Sequence, residues 1–362
     1  MIHNPIITQV TANRDTFYSW IGKYEKILTV ADDNTAPFAS FLENTQLLTL
    51  SPTLGSPSLI PDETAIGKIF IAAEGHEVIV AVGSGTICDL VRYVSSRLGI
   101  PYFIVATAAS MDGYTSAVTA PIVDNVKQTY FVSPPNGVLA DPEIYKTAPD
   151  NLTAAGFADI IGKFTSVADW EMEGLLYPNL DTFCQQLADE MRNIAKGCFN
   201  AKTPESIMEA LLNSGLVMQK AGHSKPASGA EHHLSHYWEM KAIAEGTIPA
   251  LHGAKVGVTT LLVLQATEWL LEEDITHEKI ENWQTIKQIL SQNLSLRPQV
   301  EAAIANLGGP TTPIDLEISR EDFINGILHA HSLRDRFTIW VLLDTLGLLS
   351  QYAERLANAN FN

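Results

Sequence analysis

The sequence is poor in basic residues: Lys and Arg total 23 against 41 Asp and Glu, for a formal net charge of −18 over 362 residues. No run of lysine or arginine occurs anywhere, which argues against nucleic acid or an anionic membrane surface as the main partner. Cysteine is scarce, and Cys88, Cys184 and Cys198 form no CxxC pair. Their odd number excludes a complete disulfide framework and points to a reducing cytoplasm. The longest apolar segments, such as VGVTTLLVLQA, are too short to span a bilayer, and the N-terminal stretch lacks the pattern of a signal peptide. Internal repeats and low-complexity tracts are also missing. What remains is an ordinary globular balance, 46% hydrophobic and 18% charged, long enough for two cored domains. With this net charge, an anionic substrate needs a locally positive pocket made by helix N-termini, a metal or a single lysine.

Short β-branched runs alternate with helical stretches over the first 150 residues. KILTVAD, VIVAVG (78–83) and YFIVAT (102–107) read as buried strands. Between the last two, Ile87, Leu90, Val91 and Val94 follow helical spacing, which completes a strand–helix–strand unit of a parallel sheet. Residues 128–141 read as a β-hairpin, because PPNG is turn chemistry between two β-rich arms. Beyond about residue 150 the periodicity is helical. The expected fold is an α/β Rossmann-like nucleotide-binding domain over 1–150 and an all-α domain over 151–362.

Two loops offer phosphate-binding chemistry. Gly83 and Gly85 lie between a strand and a helix whose first turn holds Thr86 and Asp89. Small residues there let backbone N–H groups approach an anion at a helix N-terminus. The third glycine of the dinucleotide fingerprint is replaced by Cys88, so a plain tight turn explains the stretch equally well. The second loop, ATAASMDGYTS (106–116), follows the next strand and carries Asp112. Loops at the carboxyl ends of neighbouring parallel strands are where such sheets bind ligands.

Three further stretches bear on a metal. Residues 153–171 read as one helix in which Asp159 and Lys163 are four apart among Phe157, Ile160, Ile161 and Phe164, so the carboxylate needs a partner. Ser228 and Glu231 fit an S-x-x-E capping box that starts the helix carrying His232, His233 and His236. That phase puts His232 and His236 on one face and turns His233 about 100° away, a packing or surface position. His252 follows His232 by 20 residues. A lone histidine is more often structural, but Asp159, His232 and His252 together supply one carboxylate and two imidazoles with open positions left, which suits a catalytic divalent ion.

GSGTICDLVRYVS, ATAASMDGYTSAV, GFADIIGKFTSVADW, SGAEHHLSHYWEM and LHGAKVG stand in the order and spacing found in bacterial sn-glycerol-1-phosphate dehydrogenases. The chain resembles that family, part of the dehydroquinate-synthase-like and iron-containing alcohol dehydrogenase superfamily, from about residue 27 onward. The resemblance implies reduction of dihydroxyacetone phosphate to sn-glycerol 1-phosphate with NAD or NADP and a nickel or zinc ion. It implies Asp159, His232 and His252 as metal ligands and Asp112, Asp159 and His236 as substrate contacts. It implies dinucleotide contacts at Gly85, Thr86, Ile87, Cys88 and Asp89, at Thr107, Ala108, Ala109 and Ser110, and at Ser116. Asp32 matches a position near the adenine ribose, where a carboxylate disfavours a 2′-phosphate and favours NAD. Lys163 is the candidate for the substrate phosphate. The expected partner is a small phosphorylated ketone or polyol, without nucleic acid or membrane insertion, in a cytoplasmic homodimer. A glycerol or polyol dehydrogenase, a dehydroquinate-synthase-like cyclase and a silent binding protein of the same fold are the alternatives.

Overall fold

A computed structural model describes residues 8–52, 58–124, 126–180, 182–273, 280 and 282–361. The chain divides into two compact units, one of residues 1–153 with 203–219 and one of residues 154–202 with 220–362.

The first unit is built on a six-stranded parallel sheet. Its strands are β1 (Gln9–Thr11), β2 (Ile27–Asp32), β3 (Thr45–Leu50), β4 (Val78–Gly83), β5 (Tyr102–Ala106) and β10 (Gly137–Leu139), in the order β1-β10-β5-β4-β2-β3. Every residue of β4 and β5 is buried, which is why both read as unbroken Val/Ile/Ala/Phe runs rather than alternating ones. Helix Gly85–Leu98 crosses between them and ends at Gly99, whose φ of 69° is the left-handed closure that glycine adopts without strain. The order reverses at β2: the chain leaves β2 for β3 on one side and returns to β4 on the other. The carboxyl ends of β2 and β4 therefore flank the switch point where open parallel sheets take their ligands.

The hairpin expected over 128–141 does not form. Its first arm, β9 (Tyr130–Phe131), pairs antiparallel with β6 (Val118–Thr119), beside a second small pair of β7 (Ile122–Val123) and β8 (Val126–Lys127). Its second arm is β10, lying parallel between β1 and β5 with all three residues buried. Filling an interior slot of a six-stranded sheet, next to the edge strand β1, satisfies both edges of β10, which an isolated hairpin leaves half open to water.

The second unit is helical, and no strand occurs after β10 among the described residues. Its core joins Leu234 and Trp238 to Val258, Leu262 and Leu270, and to Phe323, Ile327, Trp340, Tyr352 and Leu356 from the later helices. The single helix expected over 153–171 is two helices, Asp150–Ile161 and Lys163–Leu176, interrupted at Gly162. A Cβ there would lie 2.8 Å from Val256 Cγ1 and 3.3 Å from Glu231 Cγ, so the close approach of two other helices leaves no room for a side chain at this position. No helix of the described residues is long and apolar enough to cross a membrane.

Candidate functional site

In the first unit, Asp32 ends β2 and Gly83 ends β4, on either side of the switch point. Asp32 Oδ1 accepts from Asn34 N at 2.9 Å and Thr35 N at 2.8 Å, folding the chain into a turn around the carboxylate. Gly83 has no room for a side chain, since a Cβ would sit 2.6 Å from Ile87 Cβ. Gly85 is different: the nearest atom to a Cβ there is Met111 Cγ at 3.9 Å, so its outer side is open to an approaching group. Ile87 and Cys88 are buried, and burial pushes the Cys88 thiol up to about 12. These two can offer a ligand only their backbone, whereas Thr86 and Asp89 are part-exposed.

The loop after β5 is tied down by its own hydroxyls. Ser84 Oγ lies 2.5 Å from Ser110 Oγ, and Tyr114 donates to Ala108 O at 2.6 Å. Thr107, Ala108, Ala109 and Ser116 are buried, and Ser116 Oγ is 3.2 Å from Gly113 O. Arg92, which no motif singles out, is wholly buried beneath this loop. It donates to Asp89 Oδ1 at 2.9 Å, Tyr102 Oη at 3.0 Å and Val118 O at 2.9 Å, and also to Gly113 O. Asp112 is held from another direction, by Ser214 Oγ at 2.9 Å on helix Pro204–Ala221. Gly215 next to it lets that helix close on the loop, because a Cβ would meet Thr115 Oγ1 at 2.1 Å. Ser214 and Gly215 stand about a hundred residues away in sequence with no local motif to announce them.

In the second unit three helices bring the chemistry together. Asp159 lies in helix Asp150–Ile161, His232 in helix Ala230–Ala244, and His252 opens helix His252–Glu272. Their ligand atoms all lie within 4.8 Å of one another, and His232 Nε2 is 3.6 Å from Asp159 Oδ1. Two ligands on one tetrahedral ion at ~2.1 Å each stand ~3.4 Å apart, so the donor set and spacing fit a single divalent ion. Glycine makes the close approach here: a Cβ at Gly253 would lie 1.9 Å from Ala155 O, and one at Gly257 2.7 Å from Ala158 Cβ. The small residues of LHGAKVG thereby press His252 onto the helix that carries Asp159.

The electrostatics are dense. Lys163 Nζ donates to Asp159 Oδ1 at 2.7 Å with both side chains buried. Burial alone would raise Asp159, but Lys163 and the bond to His232 hold it well below the usual carboxylate range. Burial works against charge on His232 too, yet its bonds to Asp159 and Glu231 raise it above an ordinary imidazole. The expected Ser228 cap is not made. Gly229 is the cap residue, Ser228 Oγ has no hydrogen-bond partner, and Asp169 Oδ2 takes Ala230 N at 2.7 Å from another helix. Glu231 Oε1 accepts from Gly229 N at 2.7 Å, so a tertiary carboxylate displaces the serine and the glutamate works one residue later than expected.

His236 shares the His232 face as its spacing requires, and its ring stacks on His252 at 5.5 Å between centroids. Its Nδ1 lies 3.3 Å from Glu239 Oε2, and Lys255 Nζ lies 3.5 Å from Glu239 Oε1. Burial keeps His236 well below an ordinary imidazole pKa. His233 is buried with neither ring nitrogen hydrogen-bonded, pushed down to about 3 by burial, and takes no part in the cluster.

Residues 56–149 match the family model of iron-containing alcohol dehydrogenases. The chain is 34% identical over 345 residues to glycerol-1-phosphate dehydrogenase [NAD(P)+] of Bacillus licheniformis, covering 90% of this chain and 84% of that one. The enzyme of the same name from Geobacillus thermodenitrificans is 33% identical over 382 residues, with 96% and 94% covered. That of Methanosarcina barkeri is 34% identical over 270 residues, with 72% and 67% covered. Among solved structures, a probable glycerol dehydrogenase from Sinorhizobium meliloti superposes with a TM-score of 0.66 at 17% identity, covering 97% of this chain and 98% of its own. An iron-containing alcohol dehydrogenase from Corynebacterium glutamicum does so at 0.69 and 12% identity, covering 97% and 94%. These two share the fold.

Proposed function

Because the chain belongs to the glycerol-1-phosphate dehydrogenase family, within the iron-containing alcohol dehydrogenases, we propose that it reduces dihydroxyacetone phosphate reversibly to sn-glycerol 1-phosphate with NAD(P)H. The observation that carries the chemistry is the convergence of Asp159, His232 and His252 within 4.8 Å. Asp159, His232 and His252 would hold a divalent ion that would supply Lewis acidity, and a bound NAD(P)H would supply the hydride.

The chain's own residues do the rest. Lys163 keeps Asp159 ionised and places positive charge beside the cluster, and we assign that charge to the substrate phosphate. With Nδ1 facing Glu239, a neutral His236 carries its proton there and has the Nε2 lone pair left to accept from a substrate hydroxyl, while the proton that completes the alcohol comes from water. Asp112, fixed by Ser214, is a second substrate contact. The dinucleotide is assigned to the switch point, with phosphates at the N-terminus of helix Gly85–Leu98, the 107–110 loop and Ser116 along its length, and the ribose at Asp32. The Asp32 carboxylate supports NAD over NADP, and the nitrogen-rich donor set supports nickel or zinc. A cytoplasmic homodimer completes the reading, the three free cysteines supporting a reducing compartment.

Product identity tests this function. Metal-loaded protein given NADH and dihydroxyacetone phosphate should form the sn-1 phosphate, read with an enantiomer-specific assay. Formation of the sn-3 enantiomer would overturn the assignment.

A further inference from the structure

Glu231 is fully buried immediately before His232 in the chain. Its Oε1 lies 2.7 Å from His232 Nδ1 and accepts from Gly229 N at 2.7 Å, while Oε2 accepts from Thr165 Oγ1 at 2.8 Å. A carboxylate surrounded by donors can only accept, so the proton of this short contact belongs to Nδ1. A neutral imidazole protonated at Nδ1 presents its lone pair at Nε2, and Nε2 is the atom 3.6 Å from Asp159 Oδ1.

Capping does not account for this arrangement. A partly solvated glutamine would satisfy Gly229 N as well, without taking a carboxylate wholly out of water. The packing is also arranged around the side chain. The missing side chain at Gly162 leaves its Cγ space that a Cβ would crowd at 3.3 Å, and Thr165, three residues on, turns its hydroxyl to Oε2.

Resting on the reading that Asp159, His232 and His252 hold a divalent ion, we infer that Glu231 is the positioning residue of His232. It fixes the rotation and tautomer of the ring and strengthens Nε2 as a donor to the ion. Partners of this kind behind a metal-binding histidine change affinity by about 10–100-fold when removed.

The test titrates Zn²⁺ into metal-free full-length wild type, Glu231→Gln, Thr165→Val and His252→Ala, with NADH affinity measured on each. Glu231→Gln should weaken Zn²⁺ binding by about 10–100-fold, with NADH affinity and circular dichroism unchanged. Thr165→Val, which loosens Glu231 without removing its charge, should lose less. Zn²⁺ affinity of Glu231→Gln within twofold of wild type would overturn the inference, as would an equal loss in Thr165→Val. Failure of the underlying metal reading looks different: wild type would take up no stoichiometric Zn²⁺, or His252→Ala would retain it. Should Glu231→Gln not fold, ¹⁵N–¹H spectra of zinc-loaded wild type decide. His232 should carry its proton on Nδ1 and bind through Nε2, and binding through Nδ1 would contradict the inference.

Discussion

Lys163 Nζ lies 2.7 Å from Asp159 Oδ1, one helical turn away across the break at Gly162, and neither side chain reaches solvent. The pair explains how a carboxylate can sit ionised among apolar neighbours: its countercharge is part of the chain. It also puts a cation and two imidazoles around the same carboxylate. Lys163→Met should therefore cost about 3–5 kcal/mol in the metal-free protein, the usual penalty for orphaning a buried charge. A divalent ion would supply the lost countercharge, so the increase in Tm on adding Zn²⁺ should be larger in Lys163→Met than in wild type. Calorimetry with and without Zn²⁺ checks this, and equal increases would mean that the lysine and the ion do not share Asp159.

The histidines of helices Ala230–Ala244 and His252–Glu272 should separate by role. His252→Ala should abolish stoichiometric metal and turnover, with NADH binding by the first unit retained. His233→Phe should keep both, and stability within ~1 kcal/mol of wild type, because replacing an unbonded buried polar ring by an apolar one of similar shape is close to neutral. Metal analysis of the purified variants decides between these roles. Loss of metal from His233→Phe would mean that the helix presents another face.

Thiol chemistry gives a test of the fold that needs no substrate. The thiolate is the reactive form, and burial disfavours it, pushing both Cys88 and Cys198 up to about 12. At pH 8 these two should resist iodoacetamide in the native protein, while exposed Cys184 reacts. Mass spectrometry should show one adduct before denaturation and three after.

Cofactor choice should turn on Asp32. NADH should give a higher kcat/KM than NADPH, and Asp32→Asn, which can keep the turn to Asn34 and Thr35, should narrow the gap. A wild-type preference for NADPH would place the 2′-hydroxyl elsewhere.

How much of this was legible in the sequence depends on the range of the forces involved. VIVAVG and YFIVAT were readable because strands buried on both faces show it in every residue. The grouping of Asp159, His232 and His252 was readable because few chemistries use two imidazoles and a carboxylate inside apolar helices. The PPNG segment misled because its two arms belong to different sheets, a choice made by β1 and β5 rather than by the turn. The Ser228 cap misled because Asp169, 61 residues from Ala230, outcompetes a local serine. The burial of Arg92 has no local signal in the sequence, because the carbonyls of Gly113 and Val118 that take its guanidinium lie 21 and 26 residues away. Ser214 and Asp112 meet across 102 residues, and no local periodicity records that contact.

Action on a phosphorylated ketone is tested by comparing kcat/KM for dihydroxyacetone phosphate with that for dihydroxyacetone on metal-loaded enzyme. A chain of net charge −18 does not attract a dianion at long range, so the preference must come from short contacts. Two or three charge-assisted hydrogen bonds at about 1.5–3 kcal/mol each imply a ratio of at least roughly a hundredfold. If Lys163 is the phosphate contact, Lys163→Ala should collapse that ratio while leaving NADH affinity intact. Wild type should prefer the phosphorylated ketone by a hundredfold or more. Equal rates with dihydroxyacetone would contradict it and point to a plain polyol dehydrogenase.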